Sequence, residues 1–275
     1  MTRVSKLIFA ILVFLPLAAG LVYTFLYSFG LIGITSKGFT YEYWSAVLAQ
    51  KSFWKSIAFS AFHAGVGVLL TVVISLVFLH TLKDKEELKT FLFYPLIMAP
   101  VVVAFAFFSF WSDSGFVAKL CYEMGLISAP NEFPSIINSN GGLGILLAHL
   151  FLGIPFFVIS FLNIYKSFNL NDLKVLSESL GSSKIQAVFK VEIPILLRQS
   201  SRQMLLYFVF FFGAYEIPLL LGSESNRMFS ILILDKLTKF DISEKPQAFV
   251  MTSFYLICML TILFLVYKKT PKRDA

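Results

Sequence analysis

Six long stretches of this chain carry almost no charge, and each is long enough to cross a bilayer. A helix needs about 20 consecutive apolar residues to span the hydrocarbon core. Because lipid offers backbone groups no partners, and because the alternating pattern of a membrane barrel is absent from the sequence, each span is predicted to be an α-helix. The predicted fold class is all-α, a polytopic membrane protein. The six predicted transmembrane helices lie at about residues 7–29, 56–82, 90–111, 141–164, 203–222 and 246–267.

The composition excludes the soluble classes of protein. Apolar residues make up 57% of the chain and charged residues only 14%, with a mean hydropathy of +0.80. That leaves too little polar surface for a soluble enzyme, a disordered chain or a fibrous repeat. Two cysteines, Cys121 and Cys258, are too few for a disulfide framework. The first apolar stretch continues to Phe29, beyond the roughly 7 to 15 apolar residues of a signal peptide, so we expect an uncleaved first helix.

The basic residues divide unequally between the two predicted faces of the membrane. Of the 23 lysines and arginines, 15 lie at the termini and in the loops after spans two and four, and 8 lie in the other loops. By the positive-inside rule, both termini and these two loops face the cytoplasm. Trp54 and Trp111 fall at the predicted outer interface, which amphipathic rings prefer. The net charge of +7 therefore indicates topology rather than nucleic-acid binding, in a multi-pass protein embedded in lipid.

The loop between spans four and five, residues 165–202, is much longer than a simple connection and contains helical patterns. Asn171 or Asp172 is predicted to cap a first helix that runs through Leu180. Gly181 is predicted to end this helix, because glycine adopts the left-handed conformation that commonly follows a helix C-terminus.

A second short helix is predicted from Lys184 to Val191, capped by Ser182 or Ser183 and ended by Pro194. Two short helices joined at a glycine and lying against the cytoplasmic side form a compact knob that another protein can grip. Three apolar residues share one face of the second helix: Ile185, Val188 and Phe189.

The segment GSSKIQAVFKVEIP places Gly181 thirteen residues before Pro194. In this spacing, and in its position between spans four and five, the chain resembles the permease subunits of binding-protein-dependent type I ABC importers with a methionine- or maltose-permease-like core. The stretches KSFWKSIAFSAFHAGVGVLL and FYPLIMAPVVVAFAF are similar to the second and third spans of that family, so the resemblance covers most of the chain. The stretch FFGAYEIPLLLG is most similar to the spermidine/putrescine-type permeases.

One part of the loop motif of this family is missing from the chain. The family carries a glutamate six residues before the glycine, followed by two alanines, where this chain has Val175, Leu176 and Ser177. Glu178 lies one helical turn along. It either substitutes for the family's glutamate or is a solvated carboxylate on an exposed helix face.

The resemblance implies a type I permease fold in a bacterial cytoplasmic (inner) membrane, with residues 1–275 forming one transmembrane domain. It implies three partners: an ABC ATPase dimer on the cytoplasmic side, a second six-helix permease subunit that is a relative rather than a copy, and an extracytoplasmic solute-binding protein. The sequence has no G-x-x-x-x-G-K-[ST] phosphate loop, so ATP and Mg²⁺ are expected in the partner ATPase, and neither cofactor nor enzyme activity in this chain. The alternative is a loop helix that only packs on its own helix ends. The residues expected to couple to the ATPase are Gly181, Ser182, Ser183, Lys184, Glu178, Phe189 and Pro194.

Glu216 is the only carboxylate well inside an apolar stretch, and such residues at membrane depth commonly serve function. Tyr215 precedes it and Pro218 follows, so we expect irregular backbone of the kind that lines a cavity. A carboxylate beside an aromatic ring suits an ammonium group, so Glu216 either contacts a polyamine-like or other organic cation, or is solvated or hydrogen-bonded between helices. His63 and His149 either line the solute pathway or make interhelical hydrogen bonds.

The sequence gives less support to a metal site, an intramembrane enzyme or a secondary transporter. His63, His80 and His149 are isolated from one another, which does not predict a metal site. We find neither the nucleophile with its base nor the ligand cluster that an intramembrane enzyme needs. A self-sufficient secondary transporter or channel subunit is the alternative function, but it predicts charged residues at the bilayer midplane, and Glu216 lies towards one end of its span.

Overall fold

The computed structural model describes residues 3–34, 36, 38–83 and 85–269, and these residues form helices and loops without a strand. Lys37, Lys272 and Arg273, which entered the comparison of basic loops, lie outside the described residues. The first seven helices are α1 Arg3–Ser28, α2 Glu42–Leu48, α3 Lys51–Leu82, α4 Glu86–Lys89, α5 Phe93–Ile97, α6 Pro100–Trp111 and α7 Phe116–Glu123. They are followed by α8 Leu143–Ser167, α9 Leu170–Ser179, α10 Lys184–Ala187, α11 Ile193–Gly213, α12 Glu216–Leu221, α13 Phe229–Thr238 and α14 Lys245–Lys269.

Five segments of the described chain are long and apolar enough to cross a membrane. The predicted fifth span, 203–222, is not one of them, so a count of six spans stays a prediction. The difference has a structural cause: α11 starts well before residue 203, carries Arg198 and Arg202, and ends at Gly213 before the predicted span is complete. The five segments are Ile11–Ser28, Lys51–Leu82, Pro100–Glu123, Leu143–Ser167 and Ile242–Phe264.

The chain divides into two compact units. The prediction that residues 1–275 form a single permease domain stays a prediction. The first unit contains the residues up to Ile57 and those from Phe229 onward. Aromatic side chains form much of its interior: the Tyr27 ring stacks on Phe249 with centroids 4.2 Å apart. The fully buried Phe53 lies edge-on to Phe254 at 5.2 Å. These contacts join α1, α3 and α14 by apolar burial.

The second unit runs from Ala58 to Met228 and contains every residue predicted to bind or couple. Its centre is built from α3, α8 and α11, and the Oγ of Ser75 on α3 donates a hydrogen bond to the Ile154 carbonyl on α8 at 3.1 Å. The ring of Phe211 on α11 is fully buried where α3 approaches, and a Cβ at Gly67 would collide with this ring. A glycine at position 67 is therefore what permits this close packing.

Two predicted spans are broken rather than continuous. In the third, Met98 and Ala99 have extended backbone between α5 and α6. Proline at position 100 explains this break, since proline drives the preceding residue out of the helical region and is well suited to the first turn of the next helix. In the fifth, Ala214 and Tyr215 leave the helical conformation between α11 and α12, which confirms the irregular backbone expected next to Glu216.

Candidate functional site

The long loop between α8 and α11 folds as two helices joined by a tight turn, and residues 170–194 are called here the coupling segment. Its first helix, α9, begins at Leu170, so the predicted cap at Asn171 or Asp172 is wrong. The reason is that only Phe168 and Asn169 separate α8 from α9, with Asn169 in the left-handed conformation at φ 45°. An asparagine tolerates this conformation, and the chain re-enters a helix at once.

Gly181 ends α9 as predicted, in a complete Schellman motif. Its φ of 95° is in the region that favours glycine, and its amide donates to the Glu178 carbonyl at 3.0 Å. The Ser182 amide donates to the Ser177 carbonyl at 3.2 Å, and the hydroxyls of these two serines lie 2.7 Å apart. The last carbonyls of the helix are thereby satisfied without a tertiary partner.

Ser183, one of the two predicted caps, opens the next helix. Its hydroxyl accepts from the Gln186 amide at 3.3 Å, and its own amide donates to Oε1 of Gln186 at 3.2 Å. This reciprocal pair is a capping box. The turn is therefore held on both sides by hydrogen bonds among residues that are close in sequence.

Pro194 does not end the second helix, so that part of the prediction is wrong. Helix α10 passes into a wide π-helical turn, Val188–Glu192, which leads directly into α11 at Ile193. Proline lacks an amide hydrogen and its ring clashes with the carbonyl four residues earlier. The wider turn immediately before Pro194 accommodates both defects. The outcome is one helical run from Lys184 to Gly213.

The turn between the two helices presents apolar side chains to its surroundings. Leu180 is 81% exposed, Ile185 in α10 is 71% exposed, and Phe189 in the following π turn is 65% exposed. Lys184 is exposed beside them and Glu178 is half-buried. A hydrogen-bonded turn with three large exposed apolar residues on and after it has the character of a docking surface.

The predicted pathway residues separate into two groups. Glu216 is the first residue of α12, half-buried, and its neighbour Tyr215 is exposed. A carboxylate is favoured at a helix N-terminus by the helix dipole, which helps to explain its place within an apolar stretch. These two residues therefore lie together at a helix break.

The two histidines predicted for the pathway are buried. His63 places Nδ1 2.9 Å from the Phe59 carbonyl oxygen and Nε2 2.8 Å from that of Gly141. His149 is fully buried, lies 2.8 Å from the Ile145 carbonyl oxygen through Nδ1, and stacks on the Phe211 ring with centroids 3.7 Å apart. In this conformation both histidines support the packing of α3, α8 and α11 rather than line an accessible path.

An open cavity of about 380 Å³ lies elsewhere, where the break between α5 and α6 faces α8 and α11. Its walls are apolar and aromatic, and its main polar groups are the Gln203 amide and the Tyr207 hydroxyl. Tyr207 donates to the His149 carbonyl at 2.6 Å, and Gln203 accepts from the Ser160 hydroxyl. Lining residues include Met98, Leu152, Phe156 and Phe210.

Sequence reasoning missed Gln203, Tyr207 and Glu192. Gln203 and Tyr207 carry no sequence signal beyond being polar residues four apart near a span boundary, which places them on one helix face. Glu192 is fully buried and paired with residues of two other helices. Its side chain faces inward because of the π turn, and the sequence pattern of a regular helix does not reveal such a turn.

This chain is similar in sequence to a known family of transport proteins. The family described as binding-protein-dependent transport system inner membrane component matches residues 88–273. The thiamine transport system permease protein ThiP of Escherichia coli (strain K12) is 24% identical over 227 residues, 81% of this chain, and the chain spans only 41% of that relative.

Two solved structures share the fold. One is a bacterial alginate ABC transporter in complex with an alginate pentasaccharide-bound periplasmic protein, with a TM-score of 0.68 and 14% identity over 95% of this chain and 90% of the other. The second is a bacterial ABC transporter involved in the import of the acidic polysaccharide alginate, with a TM-score of 0.63 and 14% identity over 98% and 100%. The chain therefore belongs to the inner membrane components of binding-protein-dependent transport systems, the permease subunits of type I ABC importers.

Proposed function

We propose that this permease is moved by a separate ABC ATPase that grips the turn of the coupling segment. The observation that carries the proposal is the exposure of Leu180, Ile185 and Phe189 on and directly after a turn that hydrogen bonds cap on both sides. Soluble surfaces rarely present large apolar side chains together unless another protein covers them. Exposed Lys184 and Lys190 flank this surface, so an apolar pocket with an acidic rim is the complementary partner.

A second permease subunit completes the pathway in this proposal. The cavity beside Gln203 is open on one side, which suits a wall contributed by another subunit. The E. coli relative supports two halves, because its chain is more than twice as long as the region aligned with this protein. We expect the second half to be a related chain rather than a copy, with both termini in the cytoplasm and a solute-binding protein on the outer side.

The solute in this proposal is a small organic cation with a flat or apolar body. The cavity offers the aromatic rings of Phe156, Tyr207 and Phe210 and the amide of Gln203, and aromatic faces attract organic cations. The carboxylate of Glu216 beside Tyr215 supplies a further contact for a positive group. Thiamine is a heterocyclic cation, and polyamines belong to the same charge class. An acidic polysaccharide such as alginate lacks this complementarity.

Cysteine crosslinking tests the coupling to an ATPase. Cys121 and Cys258 are replaced by serine, and single cysteines are introduced by Ser182→Cys or Lys184→Cys in the copurified assembly. Both cysteines are expected to crosslink to an ATP-hydrolysing subunit. Lys119→Cys, exposed on α7 and predicted to face outward, is the matched control and is expected not to crosslink. Absence of an ATPase crosslink from both test positions would overturn the proposal.

Uptake into cells that lack their own transporters tests the solute. Radiolabelled thiamine, spermidine and an alginate oligosaccharide are supplied separately, with the chain and its genomic neighbours expressed together. Uptake of thiamine or spermidine supports the proposed charge class, and uptake of the oligosaccharide alone contradicts it. Gln203→Ala is expected to lower uptake of the transported cation by about tenfold, because one buried hydrogen bond to a charged solute contributes about 1.5 kcal/mol.

A further inference from the structure

A buried carboxylate connects the coupling segment to a transmembrane helix. Glu192 ends the π turn and has no exposed surface. Its Oε1 lies 3.3 Å from Nε2 of His80, and its Oε2 lies 3.1 Å from Nζ of Lys174. The Lys174 contact is an ion pair, the His80 contact is an ion pair only when that ring is protonated, and neither contact has hydrogen-bond geometry. Each oxygen of one carboxylate thus has a different partner.

The two partners belong to different elements. Lys174 lies in α9, within the coupling segment, whereas His80 lies in the last turn of α3. A second contact secures the same end of α3, since the Lys83 ammonium lies over the Tyr165 ring of α8 at 5.7 Å from its centroid. The C-terminal end of α3 therefore contacts the π turn through His80 and α8 through Lys83.

Stability alone does not account for a buried carboxylate of this kind. Removing a carboxylate from water is unfavourable, and an apolar residue of similar volume commonly gives a protein of equal or greater stability. Removing one partner, in contrast, leaves an uncompensated charge in the interior. An ion pair of this kind fixes one geometry between elements, which suits elements that have to move together. The contacts of Glu192 with His80 and Lys174 are called here the joint.

We propose that Glu192 is the positioning residue through which the coupling segment moves α3. This inference rests on the proposed function of the segment. Displacement of the turn pulls on His80 through the carboxylate, and α3 is continuous from there to His63, about 25 Å away at 1.5 Å per residue. His63 contacts the Gly141 carbonyl before α8, so the movement reaches the other end of the second unit.

A distance measurement tests the joint without any partner protein. Spin labels are attached after Thr81→Cys and Ser179→Cys in the detergent-purified chain, where both positions are exposed on α3 and α9. Glu192→Gln is expected to broaden the distribution of distances between the labels, and Asp172→Asn, an exposed carboxylate on α9, is expected to leave it unchanged. An unchanged distribution in Glu192→Gln overturns the joint.

A labelling experiment in the complete assembly tests transmission. Phe210→Cys places a thiol in the cavity wall, and its reaction with a methanethiosulfonate reagent is followed with and without ATP plus vanadate. Glu192→Gln is expected to retain ATP hydrolysis while the ATP-dependent change in reactivity falls about 3- to 30-fold, the usual range for a lost coupling contact. A full ATP-dependent change overturns the inference. Should Ser182→Cys and Lys184→Cys also fail to crosslink to the ATPase, the proposed function itself is wrong.

Charge exchange keeps the inference testable if Glu192→Gln destabilises the chain. The double variant Lys174→Glu with Glu192→Lys retains an ion pair with its sense reversed, and the neutral His80 ring can accept from the new ammonium. We expect this variant to recover most of the ATP-dependent reactivity, whereas Lys174→Glu alone loses it. A double variant with a normal label distance but no recovery overturns the proposal.

Discussion

The chain interrupts its helices in two different ways, in the turn at Gly181 and at the break between α11 and α12. In the turn at Gly181, Ser177, Ser182, Ser183 and Gln186 satisfy the helix ends locally. At the break between α11 and α12 no side chain caps α12, and its packing depends on distant elements such as α6 and α8. The turn should therefore respond to local changes in sequence, and the membrane region to changes in packing.

Gly181→Pro should have the largest effect, because it removes the positive φ and the amide bond to the Glu178 carbonyl together. We expect the turn to lose about 3 kcal/mol or more and the ATPase to fail to copurify. Gly181→Asn is the matched variant, since asparagine tolerates positive φ and the space around Gly181 is open. Copurification of the ATPase with the proline variant at the wild-type level would contradict this account.

Gly67→Ala tests whether the membrane region depends on close packing between α3 and α11. The added methyl group meets the buried Phe211 ring, so we expect a loss of about 1–3 kcal/mol in stability. Thermal unfolding in detergent micelles measures this loss. Gly65→Ala, on the same helix with open space around it, is the control and should be neutral or slightly stabilising. Equal unfolding temperatures for the two variants would remove the packing argument.

Ser183→Ala should weaken only the local turn, by about 1 kcal/mol through loss of the capping box. Hydrogen exchange of the amides in α10 is expected to accelerate about fivefold, since 1.4 kcal/mol corresponds to a factor of 10. Ser179→Ala changes another exposed serine, at the end of α9, and should leave these amides unaffected. A global fall in stability with Ser183→Ala would show that the turn is not locally determined.

Glu216→Gln is expected to have the smallest effect, a loss of at most about fivefold in uptake of the cationic solute, because a partly exposed ion pair contributes about 0.2–1 kcal/mol. Uptake of thiamine and spermidine is compared with the wild type. The control is Glu224→Gln, which changes an exposed carboxylate in the loop after α12. Unchanged uptake and unchanged preference in the Glu216 variant would remove the cation contact.

Much of the architecture follows from charge spacing, because a lipid-embedded segment has to be both apolar and helical. The all-α fold and the permease assignment are confirmed, and membership of a family of membrane transport components confirms that ATP hydrolysis is not the task of this chain. Gly181 was correctly predicted to end α9 and Ser183 to cap α10, because their hydrogen bonds join residues at most five apart in sequence.

The residues that sequence reasoning missed depend on long-range geometry. Glu192 is turned inward by a π turn, and the cavity beside Gln203 exists only where a broken helix faces α8 and α11. The role assigned to Pro194 failed for the same reason, since a neighbouring wide turn cancels the proline's usual effect. Local rules do not specify such compensation between adjacent turns.

The helical run from Lys184 to Gly213 carries both the exposed turn residues and the cavity wall. Thirty residues of helix measure about 45 Å, and they connect Phe189 with Gln203, Tyr207 and Phe210. A tilt of this run therefore has to move these three side chains through an arc. The movement of the turn and the shape of the cavity are thus linked through one element, whose π turn also holds the Glu192 contact with α3.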